Sequence, residues 1–212
     1  MNHKLIRFDV RLERAKYVDE FWNAEHRSRF LLKEDVAWPL SVDPLVWPSV
    51  FYSQIFKEAN KLPYGSIEVS PSTDEGNYWH SLREMASYYA KHKKPDTGGI
   101  PIAVEIVSES NLDSDQLAMT FGNHIDPAEP PPGSEFLGFD VADLSGISAL
   151  CNCEYSHDAK AHLVPLWAPR LNVFGLLTTP EHAVEFRESS NRRVSEHSPF
   201  WVYGIWRIPV TS

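Results

Sequence analysis

The pattern of apolar and polar residues along this chain predicts about six strands. Residues 5–13 (LIRFDVRLE) alternate, as is typical of a half-buried strand. Residues 100–110 (IPIAVEIVSES) form a continuous β-branched run, which favours a central strand. Residues 136–143 (FLGFDVAD) are mainly apolar on both faces and predict a covered strand. The other predicted strands are 66–70, 199–210 and, as the return strand of a hairpin, 147–155.

Helical signals lie between these strands. A broad apolar stripe predicts a helix over 17–32, and acids at the start with lysines at the end predict one over 75–93. A third helix starts at Thr179 as N-cap, with Pro180 at the first helical position. Shorter helices are predicted at 51–60 and near 113–115, whereas 156–178 is predicted to be irregular.

The order of these elements predicts the fold class. Strands and helices are mixed without a strict βαβ rhythm, so we expect an α+β fold. Its core is a mostly antiparallel sheet of about 5–6 strands, with helices packed on at least one face. We expect a single domain over 1–212, because strong strands lie on both sides of the Pro-rich connector 126–133. A division into two lobes near that connector is the alternative.

The charge of the chain is unevenly distributed. The net charge is -9 over 212 residues, with 20 basic and 29 acidic side chains. The 64 residues 96–159 hold 12 of the acids and no Lys or Arg, which leaves 20 basic and 17 acidic side chains in the other 148. The charge is therefore -12 in that segment and +3 in the remainder. Nucleic acid is a poor partner for such a surface, whereas a cationic protein would be attracted to it.

The chain has no pattern of a membrane or secreted protein. No apolar run is long enough to span a bilayer, and the charged N-terminus has no apolar core of a signal peptide. The two cysteines, Cys151 and Cys153, are too close to pair readily, and we expect reduced thiols. The sequence therefore predicts a cytoplasmic protein without membrane association.

Two groups of residues could carry metal or acid–base chemistry. Cys151, Cys153, His157 and His162 are zinc-ligand types, but their C-x-C-x3-H-x4-H spacing is not a familiar zinc pattern. Asp140 and Asp143 could bind a divalent cation or act as acid and base.

Each of these groups also has a structural interpretation: small buried cysteines, surface histidines and hydrogen-bonded carboxylates. The chain has no phosphate-binding glycine motif, no nucleophile elbow and no H-E-x-x-H. We expect no cofactor, no metal and no catalytic residue.

Four stretches of the C-terminal third resemble a family of bacterial immunity proteins. They are FLGFDVAD, SALCNCEY, LNVFGLL and EHSPFWVYGIWRI, between residues 136 and 208. The family is found beside polymorphic or secreted antibacterial toxins. This chain departs from the pattern at Glu154, where the family has a glycine. The resemblance implies a cytosolic protein that binds and neutralises one toxin, and it assigns no functional residue.

Together these observations predict a non-catalytic binding protein that neutralises a cationic toxin, such as a nuclease, through an acidic face. The expected contacts are acids in loops or at the ends of elements, where binding residues concentrate: Asp113, Asp115, Asp126, Glu129 and Glu135. The alternative is a small metal-assisted hydrolase built on Asp140, Asp143 and nearby histidines. A further alternative is a homodimer formed through the aromatic C-terminal strand, since an exposed edge strand is a template for pairing.

Overall fold

The fold is built on a four-stranded antiparallel sheet. The computed structural model describes residues 1–12, 82, 83, 85, 86, 99–108, 129–144, 148–150, 157–193 and 198–209. The strands are β1 (Asn2–Leu12), β2 (Gly99–Ser108), β3 (Glu135–Ala142) and β4 (Trp201–Arg207), in the spatial order β1-β2-β4-β3. All neighbouring strands are antiparallel. The sheet therefore joins strands from both sides of the Pro-rich connector.

Two helices follow β3. Helix α1 (His157–Trp167) continues into a 3-10 turn at Ala168–Arg170, and helix α2 (Pro180–Arg193) precedes β4. Residues 82, 83, 85 and 86 are also helical, inside the helix predicted over 75–93. Within the part of the chain that the structure describes, no helix has the length and apolar character of a membrane span.

The N-terminus of α2 forms as its residue types predict. The hydroxyl oxygen of Thr179 accepts a hydrogen bond from the backbone N–H of His182 at 3.2 Å, so Thr179 caps the helix. Ala183, Phe186 and Ser190 make up its buried stripe. The Phe186 ring packs edge-on against Trp167 of α1, with ring centroids 4.7 Å apart.

Helix α1 corrects the prediction that 156–178 is irregular. Pro165 lies inside this helix, and proline normally signals the end of one. Leu163 and Trp167 are four residues apart, so they share one face, and both are buried in the cluster that joins α1 and α2 to the sheet. Tertiary packing of this buried face therefore outweighs the unfavourable effect of Pro165 on the helix.

The α+β class and the antiparallel sheet are confirmed, but the number of strands is lower than predicted. The described residues give four strands rather than 5–6. The predicted strand 66–70 lies outside the described residues. Only residues 148–150 of the predicted return strand 147–155 are described: Ser148 forms an isolated bridge with Ala142, and a turn follows at 149–150.

The position of β4 corrects the homodimer hypothesis. This strand pairs with β2 along one edge and with β3 along the other. Both rows of its backbone hydrogen-bonding groups are occupied within the chain. It cannot be the exposed edge that the proposed dimer requires.

Both faces of the sheet are buried. One face carries Val107 and Val202, which pack against α1 and α2, and we call it the helix face. On the opposite face, Ile102, Val104 and Ile106 are all fully buried. Because both faces are buried, β2 reads as a nearly continuous apolar run rather than an alternating one.

Candidate functional site

The five acids predicted to contact a partner divide into two groups. Asp113, Asp115 and Asp126 lie outside the described residues. Glu129 and Glu135 are described, and both are exposed. Glu135 is the first residue of β3, and its side chain, 60% exposed, accepts a hydrogen bond from Arg207 at 3.0 Å.

The connector between these two acids forms a rigid turn. The backbone N–H and the hydroxyl of Ser134 both donate to the carbonyl oxygen of Pro131, at 3.0 and 2.7 Å. Gly133 has φ +83°, which a type II turn requires at its third position, and Pro132 fixes φ at the second. The sequence Pro-Pro-Gly-Ser thus forms a turn over 131–134 that two hydrogen bonds close.

This turn forms one wall of a cavity of about 310 Å³. The opposite wall comes from the helix face of the sheet: His3 and Leu5 of β1, Glu105 of β2 and Trp206 of β4. Glu129, Pro130, Pro131, Gly133 and Ser134 complete the described lining. One predicted contact residue therefore lies beside a cavity that the sequence did not predict.

Glu105 is a buried carboxylate at this cavity. Its side chain is 4% exposed, and its Oε1 lies 3.0 Å from Nδ1 of the half-exposed His3, whose ring N–H can donate to it. Glu105 pairs across the sheet with Gly204 of β4. A Cβ at Gly204 would lie 2.5 Å from Oε1, so the carboxylate occupies the space where a side chain would be. The absence of a side chain at 204 makes room for the acid.

Asp140 on β3 lies on the opposite face and has a different environment. It is fully buried, and its Oδ1 accepts hydrogen bonds from the backbone N–H of Val141 at 2.8 Å and from the hydroxyl of Ser148 at 2.7 Å. The Ser148 oxygen in turn accepts from the N–H of Leu150 at 3.1 Å. Asp140 and Ser148 therefore hold the chain that follows β3 against the strand.

Tyr203 of β4 lies beside Asp140 in the sheet register. Its hydroxyl donates to the carbonyl oxygen of Asp143 at 3.0 Å. Burial raises the pKa of the Tyr203 phenol above its ordinary value of about 10, and the charges of Asp143 and Asp140 act in the same direction. The buried Arg7 of β1 lowers this pKa, but by less. Tyr203 is thus a neutral hydrogen-bond donor at ordinary pH.

The residues considered for metal binding are described only in part. Cys151 and Cys153 lie outside the described residues, and His162 is exposed on α1. Across the described ranges, no group of three or more His, Cys, Asp or Glu side chains is placed to hold a metal ion.

A second cavity, of about 400 Å³, lies between the C-terminal half of α2 and the start of β4. Arg187, Arg192, Phe200 and Trp201 are among its lining residues. The side chain of Asn191, also in the lining, accepts a hydrogen bond from the backbone N–H of Phe200 at 2.8 Å. None of the five predicted acids belongs to its described lining.

The sequence carried two signals for the Glu105 cavity that the predictions did not use. Glu105 is the single charged residue inside the run IPIAVEIVS, where a buried charge needs a partner. Gly204 is a single glycine inside WVYGIWR, a position that often marks the close approach of another group. Neither signal identifies His3, because the pairing of β1 with β2 brings that residue in from 102 positions away.

Comparisons with known proteins give no relative from which a function could be transferred. No protein-family model, curated protein or solved structure matches this chain.

Proposed function

We propose that this chain is a non-catalytic binding protein that neutralises a cationic bacterial toxin by association through an acidic face. The supporting observation is the exposure of Glu129 and Glu135 on either side of the turn, with Glu129 also in the lining of the cavity. Other acids of the same segment, Glu105 and Asp140, are buried. The segment without Lys or Arg therefore presents acids to solvent where a partner can reach them.

Charge at such a surface acts mainly on the rate of association. Complementary potentials steer a cationic partner toward the acids, and salt weakens this steering. Glu135 already forms an exposed ion pair with Arg207, which reduces its contribution, whereas Glu129 has no ion pair among the described residues. We therefore expect Glu129 to contribute more than Glu135.

The hydrolase alternative has less support from the geometry. Asp140 is fully buried, it accepts hydrogen bonds from the Val141 N–H and the Ser148 hydroxyl, and it belongs to the described lining of neither cavity. A carboxylate that acts on a substrate must be accessible to it. The hydrogen bonds of Asp140 instead support a structural role.

The proposed function is tested by affinity purification from the source bacterium, followed by mass spectrometry and a growth assay. We expect one basic protein to be retained, to arrest growth when expressed alone, and to be neutralised when this chain is co-expressed. A retained protein that is harmless, or that stays toxic in the presence of this chain, would contradict the proposal.

The role of the acids is tested by a double charge reversal, Glu129→Lys with Glu135→Lys. We expect the association rate with the retained toxin to fall about tenfold at low salt, with a weaker dependence on salt, because steering is reduced. Stopped-flow or surface plasmon resonance at several salt concentrations measures both effects.

The matched control is Glu185→Lys with Glu188→Lys, two exposed acids on α2 whose reversal changes the net charge equally. If both pairs slow association to the same extent, the effect reflects net charge alone, and the acids beside the turn are not the interface.

A further inference from the structure

We propose that the cavity between His3 and the Pro-Pro-Gly turn receives one arginine side chain of the partner protein. The guanidinium donates to the Glu105 carboxylate and stacks on the Trp206 indole. The identity of the partner as a toxin rests on the proposed function, but the site itself rests on the geometry of the cavity.

The first argument is the unused capacity of Glu105. A carboxylate has about four lone-pair positions for hydrogen bonds. Among the residues that the structure describes, His3 is the only hydrogen-bond partner of this side chain. Gly204, directly across the sheet, offers no side chain. Donors stabilise a buried carboxylate, and because Glu105 lines the cavity, a ligand bound there could supply one.

The second argument is the charge of the lining. Glu105 lies at the base of the cavity and Glu129 at its exposed side, and the described lining contains neither Lys nor Arg. Two carboxylates and one histidine in a cavity attract a cation. A metal ion is disfavoured, because no metal-binding group of three side chains lies within the described ranges. The expected occupant is therefore an organic cation.

The third argument distinguishes arginine from lysine. A guanidinium is planar, can donate two parallel hydrogen bonds to one carboxylate, and stacks on aromatic rings. Trp206 lines the cavity together with Glu105, so an acceptor and an aromatic surface are both present. A lysine ammonium is a strongly hydrated point charge and gains less from this combination.

The shape of the cavity also favours one long side chain. Its volume of about 310 Å³ lies at the lower end of the range for ligand pockets. Its outer wall is the turn fixed by Pro132, Gly133 and the two hydrogen bonds of Ser134. A preformed wall lowers the conformational entropy that binding would otherwise cost.

The test uses the full chain and N-acetyl-L-arginine methylamide as the probe, with binding followed by NMR titration. We expect a Kd of about 1 mM, as suits a single side chain. The citrulline analogue, which is neutral and nearly isosteric, should bind at least tenfold more weakly, and the lysine analogue about threefold more weakly. Equal binding of the arginine and citrulline probes would overturn the proposal.

Three variants locate the probe. Glu105→Gln keeps the size of the side chain and should weaken the arginine probe at least tenfold. Glu129→Gln, at an exposed position that folding tolerates, should weaken it about threefold. Glu188→Gln, an exposed acid on α2, is the control and should leave the Kd unchanged. A full-strength Kd in folded Glu105→Gln, or in Glu129→Gln, overturns the assignment.

The same variants separate this inference from the proposed function. If the wild-type chain neutralises a toxin, and Glu105→Gln and Glu129→Gln both bind that toxin with unchanged affinity, the proposed function stands and the arginine site is wrong. If the arginine probe binds selectively but no toxin is retained or neutralised, the site stands and the proposed function is wrong.

Discussion

Glu105 and Asp140 are both buried acids from the segment without Lys or Arg, yet their environments differ. Asp140 accepts hydrogen bonds from a backbone N–H and a serine hydroxyl within its own chain segment. Glu105 contacts a half-exposed histidine from β1 and borders a cavity. Both side chains are buried carboxylates, so their surroundings make the difference.

The two acids lie opposite consecutive residues of β4. Tyr203 pairs with Asp140 and Gly204 pairs with Glu105, and consecutive residues of a strand point to opposite faces. On one face, a large phenol fills the space beside the acid. On the other, the missing side chain of Gly204 leaves room for the carboxylate. The comparison indicates that Asp140 stabilises the fold through its hydrogen bonds, whereas Glu105 borders a cavity.

The largest expected effect is that of Asp140→Ala. Removing this acceptor leaves the Ser148 hydroxyl and the Val141 N–H buried without it, so we expect a loss of about 2–4 kcal/mol in the free energy of unfolding. Urea denaturation measures this loss. Ser148→Ala, which removes one donor, should cost about 1 kcal/mol. If Asp140→Ala lowers the free energy of unfolding by less than about 1 kcal/mol, Asp140 does not hold the fold as proposed, and its contrast with Glu105 is lost.

Gly204→Ala tests the opposite face. The new Cβ would meet Oε1 of Glu105 at 2.5 Å and its Cγ at 2.8 Å. We expect a destabilisation of about 1–3 kcal/mol from overpacking. In a Glu105→Ala background the same substitution should cost much less, because the atoms that clash are gone. Additive effects in this double-mutant cycle would show that Glu105 is not what requires glycine at 204.

Tyr203→Phe has a smaller effect, and one that depends on pH. Loss of the hydrogen bond to the Asp143 carbonyl should cost about 1 kcal/mol at neutral pH. The pKa of the Tyr203 phenol is about 10 in the unfolded chain and higher in the folded one. Below about pH 10 the phenol therefore keeps its proton in both states. Above that pH the unfolded chain loses the proton first, so stability falls as pH rises, by about 1.4 kcal/mol per pH unit.

The phenylalanine variant should lack this contribution. Urea unfolding of both proteins between pH 9 and about 11.5 gives the two slopes, with the wild type the steeper. Parallel slopes would mean that the Tyr203 phenol ionises as readily in the folded protein as in the unfolded one.

The smallest effect is expected at an exposed acid. Glu135→Gln removes the charge that pairs with Arg207, and solvent-exposed pairs of this kind contribute about 0–1 kcal/mol. We expect a change in unfolding free energy of about 0.5 kcal/mol or less by thermal denaturation. A larger loss would place Glu135 with Asp140 among the acids that hold the fold.

Most of the described fold could be predicted from the sequence, because the signals were local. The strands around 5–13, 100–110, 136–143 and 199–210 are present, and the cap at Thr179 forms as expected. Helix α1 was missed because Pro165 obscures its pattern. The described residues contain four of the predicted strands, and of the run 147–155 only 148–150 are described, with one bridge to Ala142.

Less of the candidate site could be predicted. Glu129 and Glu135 were proposed from their position in a loop and at the end of a strand, and both are exposed. The cavity beside Glu129 was not predicted, because its walls come from four separate parts of the chain: β1, β2, β4 and the turn. No short stretch of the sequence contains residues from all four parts. The single-domain prediction for 1–212, the contacts at Asp113, Asp115 and Asp126, and the toxin as partner remain predictions.

The sequence by itself determined the fold class, the helix cap, the Pro-rich connector and the segment without Lys or Arg. Each depends on residues that are neighbours in the chain. Only the tertiary structure decided which acids of that segment are buried and which reach solvent. It also decided that β4 is an interior strand, and that Gly204 lies opposite Glu105. These outcomes depend on strand order and register, which are set by packing between distant segments.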